Sequence, residues 1–136
     1  MSKYKIIQTE FRDRQALAEA LIDVGVPFEE HVGGAALYGY QGDERPERAN
    51  FIVRRQHVGL SSNDFGLEWD AATKSYRAHI SAYDQQQGYG PRLLNRIKQR
   101  YAVRHTIALA RAKGMTITEQ KDDHGVIRLK LAGYRR

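Results

Sequence analysis

Arginine recurs at every fourth position at Arg92, Arg96, Arg100 and Arg104, with Lys98, Arg111 and Lys113 close by. Steps of four keep side chains on one slowly drifting face of a helix. Guanidinium groups stay charged at any relevant pH and grip phosphate or carboxylate oxygens as a two-pronged fork. An exposed helix face usually mixes signs, yet no acidic residue occurs from Gln85 to Thr118. The ladder is therefore the leading candidate for an anionic partner, either nucleic acid or an acidic protein surface. The plainer reading is a solvated face, or one paired with acids elsewhere in the chain such as Asp70 and Asp84.

Other groups carry weaker chemistry. Tyr38, Tyr40, Tyr83 and Tyr89 could stack on unpaired bases if they share an exposed face; packing at an edge is the alternative. His31, His57, His79, His105 and His124 show no metal-ligand spacing. A polar turn explains His124 beside Asp122 and Asp123 better than a metal does. Glu68 and Asp70 share one face of a strand, where a carboxylate pair could do acid–base work, but solubility accounts for them as well. With no cysteine there is no thiol nucleophile, disulfide or cysteine-bound metal. There is no nucleophile elbow and no phosphate-binding glycine loop. No catalytic residue, metal or cofactor is expected, and the chain does not read as an enzyme.

The elements that position these groups follow from periodicity. Lys3 to Phe11 reads as a strand with apolar residues on both faces, suited to a sheet interior. Asp13 is a helix N-cap, Leu17, Leu21 and Val24 follow at helical spacing, and Gly25 and Pro27 stop the helix. Phe28 to Val32 and Leu37 to Tyr40 read as short strands around a Gly33-Gly34 turn, and Gln41 to Glu47 as a loop. Phe51 to Val58 is β-rich. Phe65, Leu67 and Trp69 alternate with polar or small residues and should pair antiparallel with Tyr76, Ala78 and Ile80. Gln85 to Gly90 reads as a loop. Pro91 opens a long helix to about Lys113, stopped by Gly114. Its inner stripe is Leu94, Ile97, Tyr101, Ala108 and Ala112, with Leu93, Ile107 and Leu109 at the edges. Thr116 to Gln120, the Asp122–Gly125 turn and the alternation Ile127, Leu129, Leu131 make a last hairpin.

This order predicts an α+β fold: a single antiparallel sheet of about six to eight strands, with one short and one long helix on one face. The 136 residues form one domain, 1–136. Charge is divided unevenly, with a net −3 over residues 1–84 and +9 over 85–136, which suggests an acidic partner for the basic side. No run approaches the ~18 apolar residues of a membrane span, and Met1 to Phe11 does not read as a signal peptide. A soluble, cytoplasmic protein is the expectation.

The motifs Met1-Ser2-Lys3-Tyr4, Tyr38-Gly39-Tyr40-Gln41-Gly42, Asp64-Phe65-Gly66-Leu67, Gln99-Arg100-Tyr101-Ala102 and Asp123-His124-Gly125-Val126-Ile127-Arg128-Leu129 occur in this order. Together they resemble the uncharacterised family called domain of unknown function 1257, hypothetical proteins of red-algal plastids, cyanobacteria and other bacteria. The likeness spans nearly the whole chain. Two departures mark it as divergent: Tyr38 stands where the family has Arg, and Gly133-Tyr134 where it closes with Arg-Trp. The resemblance supplies no catalytic residue. It implies surroundings that include an AAA-type ATPase and a very small companion protein. The expected function is therefore a non-catalytic accessory or adaptor protein that binds a protein partner. The alternative is a nucleic-acid-binding module using the basic helix face.

Overall fold

The computed structural model describes residues 2–121 and 124–132, with only the backbone at Leu131. Asp122, Asp123, Gly133 and Tyr134 lie outside the described residues. The architecture is α+β. Strands β1 (Tyr4–Gln8), β2 (Glu29–Tyr38), β3 (Glu44–Val53), β4 (Phe65–Asp70) and β5 (Ser75–Ser81) form one antiparallel sheet in the order β1-β5-β4-β3-β2. Strands β6 (Thr116–Lys121) and β7 (Ile127–Ala132) pair only with each other. The expected single sheet is thus divided into five strands and two. The reason lies in the preceding helix, α3 (Tyr89–Ala112). Its 24 residues reach about 36 Å at 1.5 Å per residue, so the chain is carried past the sheet before β6 begins.

Helix α1 (Arg14–Val24) has the caps its sequence announces: Asp13 accepts from the Ala16 N–H, and Gly25 ends it at φ +80°. A third helix, α2 (Ala82–Gln87), replaces the loop expected at Gln85–Gly90. Ser81 caps it, its hydroxyl accepting from the Asp84 N–H and donating to the Asp84 carboxylate. Polar glutamines hid this short helix.

The main core lies between one sheet face and the two longer helices. Leu17 and Leu21 of α1 and Leu93, Leu94, Ile97 and Tyr101 of α3 pack against Phe51, Val53, Phe65, Leu67, Tyr76, Ala78 and Ile80. The β4–β5 hairpin has the expected pairing, with Leu67 and Ile80 buried. Beyond Tyr101 the buried stripe of α3 shifts to Val103, Ile107 and Ala110, leaving Ala108, Leu109 and Ala112 exposed. There α3 has left the sheet and meets the terminal hairpin, with Val103 lining a groove beside Ile127 and Leu129. Strand β1 is a sheet edge rather than interior: Ile7 packs on the core while Ile6 faces out on the other side.

The β2–β3 hairpin departs most from expectation. Gly33-Gly34 is no chain reversal, since β2 continues through it. The segment instead holds a break in register. Glu30 pairs Phe51 and Ala35 pairs Ala49, so four residues of β2 face the single residue Asn50. Gly34 takes φ +82° there, a conformation glycine adopts at little cost. Strand β3 starts at Glu44, inside the expected loop, and ends at Val53, where a 3₁₀ turn over Arg55–His57 follows. Past the break the hairpin curls over the second sheet face. Leu37 and Ala49 press on Gly66, where an added Cβ would lie 2.6 Å from that of Ala49, and Arg45 sits over the Tyr4 ring.

Candidate functional site

On α3 the arginines largely face partners within the fold. The Asp23 carboxylate, on the last turn of α1, accepts from Arg104 Nε at 2.6 Å and Nη2 at 2.7 Å, and from Arg100 Nε at 3.1 Å. Arg100 also donates to Glu119 of β6 at 2.6 and 3.1 Å. Arg96 donates to the Val24 carbonyl at the α1 C-terminus, where a positive group also meets the negative end of the helix dipole. Arg92 lies over the Tyr89 ring, 5.4 Å from its centre. These pairings hold Asp23 below its ordinary value, chiefly through the Arg104 hydrogen bond, and Glu119 likewise through Arg100. The acids that meet the ladder are Asp23 and Glu119 and not Asp70 or Asp84. Asp70 caps the Ala72 N–H, and Asp84 is buried at the start of α2. Lys98 and Arg111 are exposed on the same helix, and Lys113 is exposed just past its end.

Tyr83 and Tyr89 lie together, their ring centres 6.5 Å apart, and Tyr38 and Tyr40 stand at the end of β2. Tyr38 closes β2 and reaches Glu44; Tyr40 follows it in a turn. Tyr83 and Tyr89 belong to α2 and α3, Tyr83 donating to the Leu60 carbonyl and Tyr89 packing on Gly59. The two strand carboxylates are also separately engaged. Glu68 Oε1 accepts from Arg77 and lies 2.8 Å from His79 Nε2. His31 meets Glu29, and His105 stacks on Tyr101. Among the described residues no group of His, Asp and Glu is placed to hold a metal ion.

Asn63 and Asp64 carry no expected role beyond the place of Asp64 in a motif. Both are buried. One Asp64 oxygen accepts from the Arg55 N–H, the other from the Tyr38 N–H and from Arg54. Its carbonyl accepts from the Tyr4 hydroxyl. Asn63 joins Tyr40, Ser81 and Asp84. Arg54 in turn forks Glu29, whose carboxyl is lowered to about 2 chiefly by that bond and next by His31. This hub ties β1, β2, β5, α2 and the 3₁₀ turn that follows β3 together. Its residues bind one another, which gives it the character of a structural node, although among the described residues the second Asp84 oxygen is buried without a hydrogen-bond partner.

A further surface opens where β3 leaves β4. Their ladder stops at Phe51–Leu67, so Glu68–Asp70 has a strand partner only in β5. The Asn50 side chain spans the gap, accepting from the Trp69 N–H and donating to the His31 and Val32 carbonyls. The resulting cleft, of about 550 Å³, is lined by Trp69, Tyr76, Val32, Arg12, Arg14 and Arg48 among others. Val32 is 90% and Trp69 39% exposed. Trp69 leans edge-on against Tyr76, their ring centres 5.1 Å apart. The alternation of β4 placed Trp69 at a half-buried position; that β3 withdraws from it depends on Asn50, which no local pattern announced.

A family model described as protein of unknown function (DUF1257) matches residues 20–130, and the chain belongs to that family. No curated protein matches the sequence. No solved structure matches it either.

Proposed function

We propose that this protein is a non-catalytic accessory protein that works by binding another protein. The observation that carries this reading is the pair Val32 and Trp69, two large apolar side chains held in water on the lips of one cleft. Exposed apolar surface gathered at a concave, polar-rimmed place is characteristic of a binding site. The carboxylates of Asp23, Glu29, Glu68 and Glu119 are engaged in ion pairs and those of Asp13 and Asp70 in caps, which supports a binding role over chemistry. An AAA-type ATPase is the first partner to test, on the strength of the family resemblance alone.

A second reading, nucleic-acid binding on α3, draws support from the exposed Lys98, Arg111 and Lys113. It is the weaker of the two, because Arg100 and Arg104 are engaged by Asp23 and Glu119. Affinity capture from the native host at low and high salt separates them. Phosphate contacts weaken steeply and log-linearly with salt, whereas an interface with apolar anchors changes far less. The expected result is one stoichiometric protein partner retained at high salt. Recovery of nucleic acid alone, lost on raising the salt, would refute the proposal.

A further inference from the structure

We infer that the cleft beside Trp69 is a docking groove for an acidic, extended peptide segment of the partner. This deepens the protein-binding reading and rests on it.

Charge selects the ligand. The two carboxylates that line the cleft are already matched: Glu30 by a two-pronged bond from Arg14, and Glu68 by Arg77 and His79. Arg12 and Arg48 are not matched in this way. Arg12 Nη1 donates to the Thr73 and Lys74 carbonyls at 2.9 and 3.3 Å, and Arg48 Nη2 to the Gly34 carbonyl at 2.7 Å. Among the described residues neither has a carboxylate partner. Each guanidinium is thus oriented by backbone oxygens while its charge is uncompensated. A carboxylate entering the cleft meets two pre-oriented forks, and a cationic ligand meets repulsion.

Shape selects an extended chain. The groove runs between diverging strands, with Val32 and Arg48 of the β2–β3 hairpin on one lip and Trp69 of β4 on the other. Over Glu68–Asp70 the strand β4 is paired on one side only; Asn50 already takes the Trp69 N–H on the other, so an extended segment lies in the groove held by its side chains, which alternate down and up. A downward apolar side chain covers Trp69 and Val32, and carboxylates two residues to either side, on the same face, reach Arg12 and Arg48. Trp69 supplies the apolar anchor around which interface energy concentrates.

The chain contains a single tryptophan, so fluorescence excited at the red edge, where tyrosine does not absorb, reports this cleft alone. The probe is a capped eight-residue peptide of glutamates with one central leucine. A lysine–leucine peptide and an eight-nucleotide thymidine oligomer serve as comparisons. The acidic peptide should shift the emission to the blue and saturate, while the basic peptide and the oligomer leave it unchanged. The variant R12Q/R48Q should weaken the acidic peptide by about tenfold, the value of two exposed charge pairs near the upper end of their range. Val32→Ser, at a position too exposed to affect folding, should weaken it as well. The inference is overturned by no saturable shift at millimolar acidic peptide, by an equal response to the basic peptide, or by undiminished binding in R12Q/R48Q. Displacement of the peptide by the thymidine oligomer would also overturn it, showing a base-stacking site instead. If host capture yields a protein that R12Q/R48Q holds as tightly as wild type, the groove assignment fails while the protein-binding reading stands. If no protein is captured by wild type, that reading itself fails.

Discussion

Changing Asp23 to Asn tests whether the α3 arginines serve the fold or a ligand. The Asp23 side chain is 15% exposed, and its partners Arg100 and Arg104 are 17% and 33% exposed. It accepts three charge-assisted bonds, two of them at 2.6 and 2.7 Å. A hydrogen bond to a charged group is worth about 1.5–3 kcal/mol when well buried, and an exposed ion pair about 0.2–1 kcal/mol. This site lies between those limits. The amide keeps the shape but loses the charge, and it turns an N–H toward one guanidinium. Water can rehydrate the released Arg104, so the expected cost is about 1–2 kcal/mol, a fall in melting temperature of about 3–8 °C for a chain of this size. Arg104→Gln should cost a similar amount. In the double variant the losses should fall short of additivity by about 1 kcal/mol, because the two residues share one interaction. Thermal and urea unfolding measure all four proteins. A second readout follows from the freed charge: D23N should bind oligonucleotide more tightly than wild type at low salt. Strictly additive losses, or a D23N protein as stable as wild type, would show that the pairing contributes nothing and that the ladder is available to a ligand.

Two other expectations follow from burial and titration. Ile97→Ala empties a fully buried site on the inner face of α3 and should cost about 2–5 kcal/mol. Arg96→Ala, which removes an exposed side chain and one bond to the Val24 carbonyl, should cost under about 1 kcal/mol; similar losses in urea unfolding would mean that the faces of α3 are misassigned. In acid, Glu29 titrates at about 2 in the folded state against an ordinary 4.5, and Asp23 and Glu119 are also held low. A depressed folded value gives stability that is complete above the unfolded value and lost as pH falls through the folded one. The urea midpoint should therefore decline from about pH 5 toward pH 2, with a shallower decline in Glu29→Gln; an unchanged slope in that variant would remove the Arg54 pairing from the account.

Local chemistry alone fixed much of this molecule. Asp13 and Gly25 delimit α1 because a cap and a left-handed stop depend on neighbours in the chain. Alternation from Phe65 to Ile80 set the central hairpin and its buried face, since side chains of a strand repeat every two residues. The same reasoning put Ile97 inside and Arg96 outside. The arginine spacing placed the ladder on one helix but could not identify its partners. Asp23 is 77 residues from Arg100 and 81 from Arg104, and only the packing of α1 on α3 brings them together. In the sequence Asp64 is only the first residue of a motif. It becomes a hub because β1, β2 and the 3₁₀ turn after β3 all converge on it, from Tyr4 to Arg55. The Trp69 cleft is likewise a tertiary product. Asn50 takes the place of a backbone partner, β3 peels away, and a tryptophan that alternation leaves half-buried stands at an open groove. Sequence periodicity reports which way a side chain points from its own backbone. What it meets there is decided by segments tens of residues away.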